Sequence, residues 1–405
     1  MDIKTINRID KARDKTLPGF AKLSLALLFI VVVFLWSYAS HGNLPNNTYL
    51  IIGAVCGAYM AMNIGANDVA NNVGPAVGSK ALTLTGAIII AAIFESLGAF
   101  IAGGDVVKTI KDGIINPALI SDPQIFIWAM SAALLSAALW LNFATSIGAP
   151  VSTTHSIVGG VMGAGIAAAG FSIVDWDKVG QIVASWVISP LMGGIIAAAF
   201  LYFIKTQIVF KEDKVEAAKK FVPLLIALMS WVFSAYIILK GIKQIIKVDF
   251  ITAIILGLII GVVVYFIVKP LIIKASEKLE NNRISVNTLF NIPLVFAAAL
   301  LSFAHGANDV ANAIGPLAAI NDAIVNVEVA SNVSIPFWVM AVGAFGIVVG
   351  LMLYGPKLIK TVGSEITELD QMRAYSIAMA ASFTVIVASQ LGLPVSSTHI
   401  AVGGV

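Results

Sequence analysis

Long apolar runs separated by short polar breaks dominate this 405-residue chain. A helix that crosses a bilayer needs about 20 predominantly apolar residues, and runs of roughly that length recur along the whole sequence. They lie at about 23–39, 49–79, 81–103, 124–147, 152–170, 179–205, 221–240, 250–268, 288–318, 335–355, 373–390 and 391–405. The pattern predicts an all-α integral membrane protein with about 12 transmembrane segments.

Composition supports the same fold class. Hydrophobic residues make up 59% of the chain and charged residues 12%, whereas soluble domains carry about 25% charged residues. The charges cluster in the breaks and leave no folded basic face for nucleic acid. The single Cys56 lies inside an apolar run, which excludes intrachain disulfides and a cysteine-based metal site. The first run follows a basic segment as in a signal peptide, but the many later runs favour a retained helix.

The distribution of Lys and Arg predicts the orientation. The basic N-terminal segment is placed in the cytoplasm, and the loop at 40–48, which has no Lys or Arg, is placed outside. Counting crossings then places the basic breaks at 206–220, 269–287 and 357–373 inside. The lysines at 240, 243 and 247 disagree, since the same count puts them outside. We expect a multi-pass protein of the cell (inner) membrane.

Two motifs occur twice in the same order, and we name their four copies. Acidic cassette 1 (65–75, GANDVANNVGP) and acidic cassette 2 (306–316, GANDVANAIGP) share nine of eleven positions. Hydroxyl cassette 1 (148–160, GAPVSTTHSIVGG) and hydroxyl cassette 2 (392–404, GLPVSSTHIAVGG) share nine of thirteen. An odd number of predicted crossings separates the copies, so the repeats have inverted topology, as in many secondary transporters.

The repeats define the predicted organisation of the chain. It comprises a cytoplasmic N-terminal segment (1–22), a first half with repeat 1 (23–205), charged loops with linking helices (206–287) and repeat 2 (288–405). Repeat 2 is the shorter one in this sequence, because about 50 residues follow hydroxyl cassette 1 before the charged loop, whereas the sequence stops at Val405.

The acidic cassettes carry the costliest residues for a membrane interior. Asp68 and Asp309 need a partner, a proton or a bound cation at that depth. Asn71 and Asn312 lie three residues later, on the same helical face. Glycine and proline interrupt helices, so we expect broken helices at the midplane, where unpaired backbone groups line a cavity. Carboxylate, amide and carbonyl oxygens suit a hard cation. A bland reading, in which these residues only pack helices, explains a duplicated acidic cassette poorly.

The hydroxyl cassettes resemble helix starts. A proline followed by Ser and Thr is an N-terminal signature, and a helix start presents free N–H groups and the positive end of the helix dipole. The adjacent hydroxyls, with those N–H groups, favour a tetrahedral oxyanion without any Lys or Arg. These hydroxyls belong to Ser152, Thr153, Thr154, Ser396, Ser397 and Thr398. The alternative is that they cap their helices and bind no ligand.

Other polar residues carry weaker signals. Glu95 is an acid within an apolar run and therefore a possible coupling acid. Thr145 and Ser146, and likewise Ser389 and Gln390, precede the two hydroxyl cassettes and could complete cation shells or only bond between helices. His155 and His399 follow the hydroxyl runs, and for them packing or hydrogen bonding is favoured over metal binding or proton relay.

The paired GANDVAN and PVSTTH/PVSSTH motifs resemble those of the inorganic phosphate transporter (PiT) family, through both halves of the chain. The resemblance implies import of inorganic phosphate coupled to Na⁺, or to H⁺ in many bacterial members, and it admits sulfate permeases. It implies a phosphate site and no further cofactor. The residues carried over to that site are Asp68, Asn71, Ser152, Thr153, Thr154, Asp309, Asn312, Ser396, Ser397 and Thr398. Those carried over to Na⁺ are Ala66, Asn67, Asp68, Ala307, Asn308 and Asp309 of the acidic cassettes. To this predicted sodium site we add Thr145, Ser389 and Gln390, from the positions before the hydroxyl cassettes.

We therefore expect a secondary active symporter that works by alternating access, with Na⁺ favoured over H⁺, and not an enzyme. An intramembrane hydrolase is disfavoured, because Ser152 and His155 lie within one turn and the motif is duplicated, unlike a catalytic triad. A passive channel would show flux without cation dependence. The anion, the coupling ion, the stoichiometry and a possible homo-oligomer stay open at this point.

Overall fold

The computed structural model describes residues 19–42, 46–120, 122–241, 248–325, 335–364 and 368–405, and these residues fold into helices joined by short loops. Apart from an isolated bridge between Ile115 and Val174, the described ranges contain no β-structure. The helices of the first half are α1 Gly19–His41, α2 Asn47–Asn67, α3 Ala70–Gly78, α4 Leu84–Ala102, α5 Gly104–Asp112, α6 Pro123–Ile147, α7 Thr153–Ala169 and α8 Trp176–Ile204. A π-helical turn, Lys205–Val209, extends α8.

The second half continues with two linking helices and repeat 2. Its helices are α9 Lys214–Lys240, α10 Phe250–Ser276, α11 Arg283–Thr288, α12 Asn291–Val325, α13 Phe337–Ser364, α14 Gln371–Gln390 and α15 Ser397–Gly404. Within the described ranges, 10 helices are long and apolar enough to cross a membrane. The predicted segments at 152–170 and 391–405 are not among these, because α7 has 17 residues and α15 has 8.

The two helices that lead into or contain the acidic cassettes, α2 and α12, each pack against a helix of the other repeat. α2 packs on α13 of repeat 2, and α12 packs on α4 of repeat 1. The contact is backbone to backbone: a Cβ atom at Gly65 would lie 1.8 Å from the carbonyl oxygen of Ile347, and one at Gly306 would lie 2.2 Å from that of Glu95. The first glycine of each acidic cassette therefore lets the two repeats approach at equivalent points around the centre.

Each hydroxyl cassette lies in the loop of a helical hairpin. α6 and α7 form the first hairpin, and α14 and α15 form the second. The loops begin at Gly148 and Gly392, which adopt positive φ of 81° and 66°, a conformation that favours glycine. Pro150 and Pro394 follow in the unwound segment before α7 and α15 begin.

The first hairpin starts and ends on the same side of the fold. The N–H of Asn116, before α6, donates to the carbonyl of Ile173, after α7, at 2.8 Å, and the N–H of Asp175 donates to the carbonyl of Ile114 at 3.1 Å. The hairpin therefore leaves the direction of later helices unchanged, and counting α4, α8, α9, α10 and α12 keeps α2 and α12 opposite in direction.

The expectation of broken helices is correct for acidic cassette 1 and wrong for acidic cassette 2. Acidic cassette 1 does interrupt a helix, since α2 ends at Asn67 and α3 begins at Ala70. Acidic cassette 2, in contrast, lies within the continuous helix α12. Pro316 lacks an N–H and leaves the carbonyl of Asn312 without its helical donor, but α12 is almost wholly buried and its packing keeps it helical.

The polar stretch between α4 and α6 contains the short amphipathic helix α5. Its apolar face, with Val106, Val107 and Ile110, is buried, and α5 packs on α12. The topological conflict at Lys243 and Lys247, and residues 1–18 of the proposed N-terminal segment, lie outside the described residues.

Candidate functional site

The two acids converge on one buried centre. Both Asp68 and Asp309 are fully buried, although 241 residues separate them in the chain. The hydroxyl of Thr153 lies between them, because it donates to Asp68 Oδ2 at 2.6 Å and lies 3.3 Å from Asp309 Oδ2. The hydroxyl of Thr398 donates to the other oxygen of Asp68, Oδ1. Both acidic cassettes and both hydroxyl cassettes therefore contribute to the same centre.

Asparagines of each repeat contact threonines of the other. The side-chain amide of Asn71 donates to Thr398 Oγ1 at 2.8 Å, and that of Asn312 donates to Thr154 Oγ1 at 3.1 Å. Thr154 and Thr398 are equivalent positions of the two hydroxyl cassettes. These two hydrogen bonds are therefore one contact made twice, and they join the repeats across the centre.

The asparagine before each acid holds the hairpin loop of its own repeat. Asn67 donates from Nδ2 to the Thr145 hydroxyl at 2.9 Å and to the carbonyl of Ala149 at 3.1 Å, while its Oδ1 accepts from the N–H of Val151 at 3.0 Å. Asn308 makes the same three bonds in repeat 2, with Ser389, Leu393 and Val395 at 2.9, 3.2 and 3.4 Å. We call these two residues the loop clamps.

Of the remaining predicted site residues, two cap helices, three are buried and one is exposed. Ser152 and Ser396 are N-caps, since their Oγ atoms accept from the N–H of His155 and His399 at 3.1 and 3.2 Å. Ser397 is buried, and its hydroxyl has no partner. The other predicted sodium-site positions are Ala66 and Ala307, both buried, and Gln390, which is exposed.

An additional histidine, which lies outside the duplicated motifs, joins the centre. The imidazole of His305 is fully buried, with Nε2 3.1 Å from Asp309 Oδ2 and 3.8 Å from Asp68 Oδ2. Nδ1 lies 2.7 Å from Glu95 Oε2, and the other oxygen of Glu95 accepts from the amide of Asn72 at 2.7 Å. The intramembrane acid singled out in the sequence thus contacts the site through a histidine that sequence reasoning missed.

The pair formed by Glu95 and His305 has no polar counterpart at the equivalent positions of the two repeats. His305 precedes acidic cassette 2, and the equivalent residue before acidic cassette 1 is Ile64. Glu95 packs beside Gly306 as Ile347 packs beside Gly65. Both isoleucines are fully buried. The duplicated fold therefore encloses an unequal site, polar on the side of Glu95 and apolar on the opposite side. The sequence signal for His305 would have been the position at which the two repeats differ, His305 against Ile64, rather than a position at which they agree.

The chemistry of the centre suits a small hard cation. Asp68, His305 and Asp309 each offer one ligand atom, and these atoms lie within 4.8 Å of one another. Asp309 Oδ1, Asn312 Oδ1 and Ser397 Oγ are buried without hydrogen-bond partners. Buried polar atoms are normally satisfied, so these oxygens, all from repeat 2, fit the donor set of a cation such as Na⁺.

The centre also suits an oxyanion that must later be released. None of the hydrogen bonds and ion pairs described for its residues involves Lys or Arg. Its donors are the threonine hydroxyls, the asparagine amides, the imidazole and the first turns of α7 and α15, which carry the positive ends of helix dipoles. Because Asp68 and Asp309 are present too, an anion is repelled unless a cation or proton lies beside it.

The fold and the site together define a multi-pass membrane transporter with an enclosed polar centre between two repeats. A model of the "Phosphate transporter family" matches residues 64–405. A relative from Helicobacter pylori named "Putative phosphate permease" is 57% identical over 408 residues, covering 100% of this chain and 76% of that protein. A relative of the same name from Pyrococcus abyssi is 39% identical over 357 residues, 88% of this chain and 87% of that one.

A solved structure gives the same result. The chain is similar to "The sodium-dependent phosphate transporter" with a TM-score of 0.84 and 36% identity, over 88% of each chain. The chain belongs to the phosphate transporter family. The resemblance found in the duplicated motifs is thereby confirmed, and so is the all-helical membrane fold.

Proposed function

We propose that this protein is a secondary active symporter of the cell (inner) membrane that imports inorganic phosphate with a cation by alternating access. The observation that carries the proposal is the buried centre in which Asp68 and Asp309, one from each repeat, share the hydroxyl of Thr153. Acids, hydroxyls and helix starts at one point suit an anion and a cation bound together.

Binding of the two ions is linked by electrostatics. A phosphate placed beside Asp68 and Asp309 is repelled by both carboxylates, and more strongly in a buried site of low dielectric than in water. A cation at the carboxylates removes that repulsion, so each ion raises the affinity for the other. Such reciprocal coupling is what a symporter needs to move both ions in one cycle.

Na⁺ is the coupling ion that the observations favour. The buried oxygens without partners are of the type that a hard cation binds, and the similar solved structure is named a sodium-dependent phosphate transporter. H⁺ is the alternative, because a proton on Asp309 or His305 would also relieve the repulsion. Sulfate is the alternative anion, since hydroxyl and N–H donors accept any tetrahedral oxyanion.

The test is uptake of radiolabelled phosphate into proteoliposomes, with Na⁺ and pH gradients imposed separately and sulfate as competitor. We expect an inward Na⁺ gradient to drive accumulation and sulfate to compete poorly. Accumulation driven only by the pH gradient would show that the coupling ion is H⁺ and not Na⁺. Flux that is indifferent to both gradients would refute symport and favour a channel.

Variants of the acids test the site itself. We expect Asp68→Asn and Asp309→Asn to reduce coupled uptake at least about tenfold, equivalent to the loss of about 1.4 kcal/mol of cation binding, with normal folding by size-exclusion chromatography. Glu95→Gln, the possible coupling acid, should weaken the dependence on the cation gradient. Asp249→Asn is the matched control, because Asp249 is an exposed cap of α10, where it accepts from Thr252. Wild-type uptake in both Asp68→Asn and Asp309→Asn would contradict the site.

A further inference from the structure

Two histidines, one from each repeat, meet beside the central site. His155 and His399 are the third residues of α7 and α15, and their ring centroids lie 4.7 Å apart. No hydrogen bond joins the two rings, and Nε2 of His155 is buried without any partner. The sequence favoured packing for these residues, but packing alone leaves this buried ring nitrogen unexplained.

A third helix fixes one of the two rings. The indole of Trp186 on α8 lies 3.8 Å from the His155 ring, centroid to centroid. Its Nε1–H donates to the carbonyl of Pro394 at 3.1 Å, in the loop before α15. Trp186 therefore connects the imidazole of His155 to the loop that leads to His399. His399 itself is exposed, which leaves room for water at its ring.

Both rings lie in the first turn of a helix, and each faces the other ring. The described ring contacts of this pair are with each other and with Trp186. Neutral imidazole is the form of histidine that binds metal ions.

We propose that His155 and His399 form a binding site for one divalent transition-metal ion, such as Zn²⁺, Ni²⁺, Co²⁺ or Cu²⁺, with water in the remaining positions. Imidazole suits these metals. Two imidazoles bound to one Zn²⁺ through nitrogens about 2.0–2.1 Å from it have ring centroids about 5 Å apart, and the observed separation is 4.7 Å. The site is distinct from the acids and His305 of the central site.

A metal at this position would bridge the two repeats. His155 and His399 directly follow Thr154 and Thr398, which contact the other repeat across the centre. The bridge ties the starts of α7 and α15 together, so we infer that the metal inhibits transport. This consequence rests on the proposed function, whereas metal binding itself does not.

Metal binding is tested on purified protein that carries no polyhistidine tag, in phosphate-free buffer, by the visible absorption of added Co²⁺. We expect one Co²⁺ per chain, and Co²⁺ affinity at least about 10–100-fold lower in His155→Asn and in His399→Asn, since removal of a ligand costs at least what loss of its supporting partner does. His41→Asn is the matched control and should bind as wild type. Absence of Co²⁺ binding, or binding lost in His305→Asn but kept in His155→Asn, would overturn the proposal.

Inhibition is tested by measuring phosphate uptake into proteoliposomes with Zn²⁺ and with a chelator, and by dividing the first rate by the second for each variant. This ratio should be well below one in the wild type, where later addition of chelator should restore uptake. It should stay near one in His155→Asn and His399→Asn. Equal inhibition of all variants would overturn the bridging role. Failure of uptake in the wild type without metal would instead count against the proposed function, and the Co²⁺ titration would still decide the site.

Discussion

At the scale of single residues, the duplicated motifs contain two kinds of polar residue with different tasks. Asp68, Asn71 and their equivalents in repeat 2 lie in the shared centre. The loop clamps Asn67 and Asn308 instead form their hydrogen bonds with the hairpins of their own repeats. Each clamp satisfies the backbone N–H of a valine, the half-buried Val151 or the buried Val395, and an unpaired N–H away from water is costly. The resemblance assigns both clamps to the sodium site, and the geometry adds a structural task.

We expect Asn67→Ala and Asn308→Ala to destabilise the protein even without Na⁺. Each leaves a backbone N–H and a carbonyl of the unwound loop unpaired, at about 1–3 kcal/mol for a buried group. Thermal unfolding in detergent measures the effect. Asn63→Ala is the control, since Asn63 is equally buried but bonds only to the carbonyl of Tyr59 in its own helix. Wild-type stability without Na⁺ would mean that the clamps act only as cation ligands.

The sequence predicts the site as far as the duplication reaches. Asp68, Asp309, Thr153, Thr154 and Thr398 were all identified because they recur. His305 was not, since its equivalent is Ile64 and its partner Glu95 lies 210 residues away. Long-range pairs of this kind depend on how α4 packs on α12, and local patterns do not encode that packing.

At the scale of elements, glycines decide how closely the helices approach, and prolines decide where hydrogen bonds are lost. The apolar pattern predicted most of the long helices, since length and hydropathy suffice for them. Within the described residues, the 10 helices long enough to span do not include α7, with 17 residues, or α15, with 8, so the expected count of about 12 is not confirmed. The expectation of a broken helix was wrong for the continuous α12, where burial keeps the helix intact despite Pro316.

We expect Gly65→Ala and Gly306→Ala to disrupt folding, because the added Cβ atoms would lie 1.8 and 2.2 Å from backbone oxygens of the other repeat. Overpacking usually lowers the free energy of unfolding by about 1–3 kcal/mol. We expect both variants to lie at the upper end of this range, because the atoms that would clash belong to the backbone. Yield and monodispersity in size-exclusion chromatography measure the effect. Gly163→Ala is the control, since open space surrounds Gly163 on α7, and equal behaviour of all three variants would refute the argument.

At the scale of the whole molecule, the centre is closed and each hairpin loop is tied to the other repeat. The hydroxyl of Thr109 on α5 donates to the carbonyl of Gly392 at 2.6 Å, and Lys357 Nζ on α13 donates to the carbonyl of Ser146 at 2.8 Å. Asp68 and Asp309 are wholly buried. If the protein works by the proposed alternating access and these ties act as its gates, one tie opens while the other holds, so we expect the two loops to open independently.

The last prediction concerns these two ties. We expect Thr109→Val to speed hydrogen–deuterium exchange in residues 392–396 about tenfold, because loss of a buried hydrogen bond of about 1.4 kcal/mol raises the open population by that factor. Lys357→Met should speed exchange in residues 148–152 by less, since Lys357 is exposed and water competes for its partner. Mass spectrometry resolves both segments, and Lys274→Met, an exposed lysine of α10, is the control. If either variant loosened both loops equally, the hairpins would move as one body, and separate gates on the two sides of the site would be ruled out.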